Sequence, residues 1–253
     1  MKNSESIKIL VIICSILLFL GVFIFCICNK ELFSNFYPKR NVVLRPKHPK
    51  WYEDIPEDHP DVLSLIKQTE EQSRRTKKYT DKGWVKMKMP KDVYDYLLNV
   101  TLTTDRIKED KRNIFARTSS GLPPYLIPIP EDKRTWVHNS IKNTLEDWSK
   151  IKLQPSTAYG PREYRRDSSL RMHCDRGKTH IISAILHIHR EGMDKDWPLV
   201  IINRNNEREK VYMEPGDMIL YESASLPHSR EEPLKGDYYV NMFLHFAPLE
   251  SKI

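Results

Sequence analysis

Two hydrophobic rhythms divide the chain near residue 150. Before it, apolar residues recur at three- and four-residue spacing, the period of one helix face. Pro90 opens one such stretch, with Val93, Leu97 and Val100 on a common face. A longer one runs from about Glu131 to Lys150. Val137, Ile141, Leu145 and Trp148 form its stripe, and Glu131 and Asp132 suit the positive end of a helix dipole. A more polar, weakly amphipathic stretch covers about Asp61 to Lys77. Between the second and third stretches, "TSSGLPPYLIPIP" reads as an ordered but irregular loop.

After Lys152 the period shortens. "LQPSTAYG", "SLRMHCD", "THIISAILHIH", "PLVIIN", "EKVYME", "GDMILYES" and "DYYVNMFLHFAP" predict short strands, and "PREYRRD", "REGMDKDW" and "NRNNER" separate them. Many short strands at near-regular spacing predict an all-β sandwich or barrel, here a jelly roll or double-stranded β-helix. The class is therefore mainly β with N-terminal helices (α+β), the helices packing on one sheet. Residues 61–134 supply the helical and loop support and residues 135–249 the jelly roll.

One apolar run fits neither rhythm. Ile9 to Cys28 holds 20 residues without a charge. At about 1.5 Å per residue it spans roughly 30 Å, the hydrocarbon thickness of a bilayer. A signal peptide has a shorter apolar region and a small-residue cleavage site, and Asn29-Lys30-Glu31 supplies none. The expectation is a single anchor (9–28) after a short tail (1–8). A Pro-rich, basic stem (29–60) follows, carrying Pro38, Pro46, Pro49, Pro56 and Pro60. The basic residues after the anchor outnumber those before it, which by the positive-inside rule keeps the rest of the chain in the cytoplasm. The same segment also suits anionic lipid headgroups.

Composition adds limits. Of 253 residues 30 % are charged, which places most of the chain outside a membrane. The net charge of +7 is spread along the chain with no basic block interleaved with aromatics, so nucleic acid is not an expected partner. Cys14, Cys26 and Cys28 fall in the anchor, the last two at positions suited to palmitoylation. Cys174 alone remains in the soluble part, so no internal disulfide forms there. Asn99-Val-Thr101 is a glycosylation acceptor if that region is lumenal. The oligomeric state is not legible.

The chemistry starts at "RMHCDR". His173 and Asp175 are two apart on a strand, so both project to one side and Cys174 to the other. A hydrogen-bonded surface pair is the bland alternative. Two histidines and one carboxylate on one face of an octahedral metal are the signature of non-haem Fe(II) oxygenases. The missing ligand should come from a late strand of the opposite sheet, and His228 in "SLPHSREEPLKG" occupies that place.

With those residues in order, "YGPREY…LRMHCDRGKTHIISAILHI…WPLVI…MEPGDMILYES…PHSREEPLKGDYYVNMFLHFAP" resembles the prolyl 4-hydroxylase-like 2-oxoglutarate/Fe(II) dioxygenases, particularly their membrane-anchored members. The resemblance covers about residues 135–249. It implies a metal site of His173, Asp175 and His228. Fe(II) is the implied metal, 2-oxoglutarate and O2 the cosubstrates and ascorbate a helper. The substrate would be a proline-containing peptide or protein, and the setting the lumenal side of the secretory pathway, against the charge balance at the anchor. A hydroxylated C–H bond, succinate and CO2 would be the products.

One position departs from the pattern. The family places a Lys or Arg nine or ten residues after the distal histidine, to pair with the far carboxylate of 2-oxoglutarate. Asp237 and Tyr238 stand there instead. The expected replacements are Arg162, Lys235 or an inward Tyr238 with Asp237 turned outwards; Tyr159 resembles the tyrosine that hydrogen-bonds the cosubstrate. Unrescued, the domain would be a catalytically impaired, membrane-tethered binding module. A lysine side chain or a small molecule is the third substrate reading. His187 and His189 are expected to line a strand's interior face, His245 and the tryptophans to be structural, Gly216 to sit in a turn and Asp217 to cap it.

Overall fold

The computed structural model describes residues 58–109, the backbone of 116–118, and residues 123–249. The expected tail, anchor and nearly all of the stem lie outside the described residues, and no described helix is long and apolar enough to cross a membrane.

Among the described residues there are three helices, interleaved with the first four strands: α1 (Pro60–Arg75), α2 (Lys91–Thr103) and α3 (Glu131–Ser149). His59 caps α1, its ring Nδ1 accepting from the Asp61 amide, and Pro60 takes the first turn, where no amide is needed. Residue Pro60, read as the end of the stem, is therefore helical. The stripes of α2 and α3 are buried as expected at Val93, Leu97, Val137, Ile141 and Leu145, whereas Val100 and Trp148 are only partly buried.

Among the described residues, twelve strands form two antiparallel sheets. Those used below are β1 (Trp84–Lys88), β2 (Ile107–Lys108), β5 (Leu153–Arg165), β6 (Ser168–His173), β7 (Ile182–Glu191), β8 (Leu199–Ile202), β10 (Asp217–Tyr221), β11 (His228–Arg230) and β12 (Tyr238–Pro248). The larger sheet has seven strands, β10-β7-β12-β5 at its centre, and the smaller has five, with β6-β11-β8 at its centre. Two strand expectations change. "PREYRRD" does not interrupt: β5 continues through it to Arg165, registered along β12, and turns only at Arg166-Asp167. "WVKMK" was not read as a strand, yet β1 pairs along all five of its residues with β10.

The centre of the larger sheet is covered on both faces. Ile182, Ala184, Leu186 and Ile188 of β7 pack with Val240, Met242, Leu244 and Phe246 of β12 against α2 and α3. Ile185 and Ile219 turn the other way, onto Leu199 and Ile201 of β8. This two-sided burial leaves β7 buried at every position from Ile182 to Ile188 instead of alternating. His187 also faces inward, stacked on Tyr239 at 4.0 Å between ring centres. Helices α2 and α3 thus cover one face of the larger sheet, and the space between the sheets holds the site. Gly216 has φ of 89°, and Asp217 closes its turn by accepting the Glu214 amide at 2.8 Å.

Candidate metal centre

His173 ends β6 and His228 begins β11, and the two are register partners. The third ligand thus comes from the neighbouring strand of the same sheet, not from the opposite sheet. Asp175 lies just past β6, where its amide donates to the Ser223 carbonyl. Ligand atoms of His173, Asp175 and His228 lie within 4.8 Å of one another. One Asp175 oxygen is 3.8 Å from His173 Nε2 and 3.9 Å from His228 Nε2.

The donor set fits a divalent metal. His173 Nδ1 is 2.7 Å from the Arg171 carbonyl, and His228 Nδ1 is 2.9 Å from the Leu226 carbonyl. A carbonyl only accepts, so each Nδ1 carries the proton and each Nε2 presents a lone pair to the shared centre. Burial, then the nearby His228 ring, pushes the His173 pKa down to about 4, which keeps the ring neutral for ligation. Burial alone would raise the Asp175 carboxyl. The surrounding rings of His228, His245, His173 and His180 outweigh it and hold the pKa down at about 2. The second Asp175 oxygen accepts from Tyr221 Oη at 3.3 Å, and His245 Nδ1 is 3.7 Å from it. His245, expected to be structural, is thus beside the centre.

The triad opens into a cavity of about 440 Å3. At its inner end lies Arg230, two residues past His228 and 1 % exposed. Its guanidinium sits over the rings of Trp197 and Tyr239, at 4.6 and 4.7 Å, and donates to the Trp197 carbonyl. It makes no ion pair among the described residues. Sequence reasoning missed this residue.

The expected cosubstrate residues divide. Tyr159 and Arg162 line the cavity, but both are bound to Glu109, just past β2. Arg162 donates from Nε at 2.8 Å to one Glu109 oxygen, which lies 2.7 Å from Nη2 in the same ion pair, and from Nη1 to Tyr164 Oη at 2.9 Å. Burial raises the Tyr159 hydroxyl pKa further above its usual range, so it stays a donor. Lys235 is a correction: it pairs with Asp167 at 2.9 Å, half exposed and away from the cavity lining. Tyr238 is another, its hydroxyl donating to Glu191. Asp237 points outwards, 63 % exposed and 3.3 Å from Arg166.

One wall of the cavity is α1, through Leu65, Gln68, Thr69 and Gln72. Gln72 Nε2 donates to the backbone carbonyls of Asp175 and of Ala224, the latter at 2.9 Å. Cys174 Sγ faces α1, 3.8 Å from the Thr69 carbonyl and off the triad, as alternation along the strand requires.

No family model and no curated protein matches the sequence. Solved structures do. An oxidoreductase of the 2OG-Fe(II) oxygenase family from Burkholderia pseudomallei superposes with a TM-score of 0.50 at 11 % identity, covering 65 % of this chain and 85 % of that one. The fold is a double-stranded β-helix. A prolyl-4-hydroxylase from Pseudomonas putida has a TM-score of 0.47 at 13 % identity over 65 % of this chain and 92 % of its own. HygX from Streptomyces hygroscopicus, solved with nickel, 2-oxoglutarate and hygromycin B, has 0.49 at 13 % over 67 % and 84 %. At these identities the likeness is one of fold.

Proposed function

We propose that the chain is an Fe(II)- and 2-oxoglutarate-dependent dioxygenase. The observation that carries the reading is the pairing of two groups in one cavity. One is a His-Asp-His triad with both Nε2 lone pairs directed inward. The other is a buried arginine, Arg230, with no carboxylate partner among the described residues. A buried guanidinium lacking a counter-charge calls for an anion. Fe(II), which His173, Asp175 and His228 would hold, would supply the oxidising chemistry by which 2-oxoglutarate, O2 and a C–H bond give succinate, CO2 and a C–OH bond.

The protein's own groups bind, orient and exclude water. Arg230 takes the far carboxylate of 2-oxoglutarate, assisted by its aromatic sandwich. Arg162 is neutralised by Glu109 and shapes the inner end, with the Tyr159 and Tyr164 hydroxyls held beside it. Tyr221 donates to the second Asp175 oxygen, leaving the other oxygen for the metal. The binding-module alternative rested on Asp237 repelling the cosubstrate. Asp237 faces solvent, so that repulsion has no basis.

We extend the proposal, from the sequence resemblance, to a peptidyl proline as the C–H donor and ascorbate as a helper. The charge-free run at 9–28 extends it to a membrane-tethered enzyme with a lumenal domain. Succinate formation from 2-oxoglutarate, dependent on Fe(II) and lost in Asp175→Ala, is the expected result. A parent protein that binds Fe(II) and produces no succinate sinks the enzyme reading. Protection of the domain from protease in sealed microsomes tests the location, and full digestion refutes it.

A further inference from the structure

Four aspartate and arginine side chains line the cavity: Asp175, Arg162, Arg230 and Arg176. Three have a partner or an assigned role. Arg162 is neutralised by Glu109. Asp175 is committed to the metal and Arg230 to one carboxylate of the cosubstrate. Under the proposed function, the two positive charges of Fe(II) and the one on Arg230 balance Asp175 and the dianion of 2-oxoglutarate. Arg176 is left over.

Arg176 follows Asp175 directly, is exposed, and borders the same cavity beside α1. Its carbonyl accepts from the Thr179 and His180 amides, but its side chain makes no hydrogen bond, ion pair or ring contact among the described residues. Its neighbours on the wall are uncharged: Gln68 and Thr69, with Gln72 Oε1 free to accept because its Nε2 is spent on Asp175 and Ala224. Amide side chains match the donors and acceptors of a peptide backbone. No Asp or Glu other than Asp175 lines the cavity to compete for the spare cation.

We infer that Arg176 is a substrate-binding residue, and that the preferred substrate is a peptide carrying an acidic side chain next to the residue that is oxidised. The inference rests on the proposed oxygenase reading and deepens it. The guanidinium forms a charge-assisted, forked pair with the substrate carboxylate at the cavity mouth, while Gln68 and Gln72 meet the peptide's amides. A basic or neutral flanking residue leaves Arg176 unpaired and binds more weakly.

The test is a titration of the full chain in detergent, loaded with Mn(II) and 2-oxoglutarate without O2. The probes are capped tripeptides Glu-Pro-Ala and Ala-Pro-Glu and their Gln counterparts. One acidic peptide is expected to bind about tenfold tighter than its Gln counterpart, or about 1.4 kcal/mol. The preference falls to parity in Arg176→Gln, reappears in part in Arg176→Lys, and persists in Lys178→Gln, the control for general basicity. Mn(II) and 2-oxoglutarate affinities stay at the parental level in all three variants. A parent without the preference, a preference that survives Arg176→Gln, or a loaded parent that binds none of the four peptides overturns the inference and leaves the oxygenase reading intact. A parent that binds neither Mn(II) nor 2-oxoglutarate removes that reading and the inference with it.

Discussion

Arg230 and Arg162 separate two roles that the sequence alone offered to one residue. Arg230 lacks a carboxylate partner and Arg162 has one, so their substitutions should fail differently. Arg230→Gln is expected to weaken 2-oxoglutarate by about 10- to 100-fold, the loss of a charge-assisted hydrogen bond, with Mn(II) binding retained. Arg162→Ala removes a buried ion pair to Glu109 and a bond to Tyr164 and should cost about 1–3 kcal/mol of folding stability. Calorimetric titration and chemical unfolding of the two variants check this; equal effects on ligand affinity with no stability loss at Arg162 would reverse the roles. Asp237→Arg, on solvent, should change neither. His173 and Asp175 were legible as a pair from their spacing two apart and His228 from its place in the resembling pattern, and ligand atoms of the three lie within 4.8 Å of one another. The base was not. Arg230 sits only two positions after His228, on a three-residue strand, where the family spacing points nine or ten positions on. The Glu109 partner of Arg162 was invisible, since nothing local ties residues that far apart in the chain.

Helix α1 differs from the two helices that back the larger sheet. It buries two apolar side chains, Val62 and Leu65, and turns polar residues to the cavity. At about 1.5–3 kcal/mol for each such side chain, its attachment is weak against the entropy of ordering the helix. The bonds from Gln72 to the Asp175 and Ala224 carbonyls and from Ser73 Oγ to the Ser225 carbonyl at 2.8 Å therefore carry a large share. Cys174 reports on this contact, because its thiol is 9 % exposed under α1 and burial pushes its pKa up to about 12. Alkylation of Cys174 by iodoacetamide at neutral pH, read by peptide mass spectrometry, should be slow in the parent and at least several-fold faster in Gln72→Ala. Equal rates would mean α1 does not depend on that bond. The elements with strong local signals were readable: α2 and α3 from their stripes, β7 and β10 from apolar runs bounded by turns. Strand β1 was not, because "WVKMK" offers three polar-flanked apolar residues and becomes a strand only through its pairing with β10. Strand β5 was cut short in the reading because "GPREYRRD" looks like a turn. Glu163 and Arg162 are nonetheless buried on opposite faces of that strand, each held by an ion pair formed across the fold.

The whole molecule encloses a set of neutral histidines, and this fixes how it responds to acid. Burial lowers the pKa of His187 to about 3, and it also lowers that of His138, whose Nε2 lies 3.0 Å from the His245 carbonyl where α3 meets β12. The unfolded chain binds protons on these rings near pH 6.5 while the folded one does not, so stability is lost as pH falls from about 6.5 towards 3. Denaturant unfolding without metal should show that decline, and His187→Gln should flatten it. A metal at the triad acts in the opposite sense, because its ligands lie on two strands and just beyond one of them, and are brought together only by folding. At a free Mn(II) concentration 100 times its dissociation constant the gain is about 2.7 kcal/mol. For a domain of this size that raises the melting temperature by roughly 5–10 °C. The rise should vanish in Asp175→Ala and remain in Arg230→Gln and Arg176→Gln, whose side chains bind anions and not the metal. Scanning calorimetry at pH 7.5, with and without Mn(II), reads all four proteins. A rise that survives Asp175→Ala would place the metal elsewhere, and the triad would then be a hydrogen-bonded cluster with no ligand role.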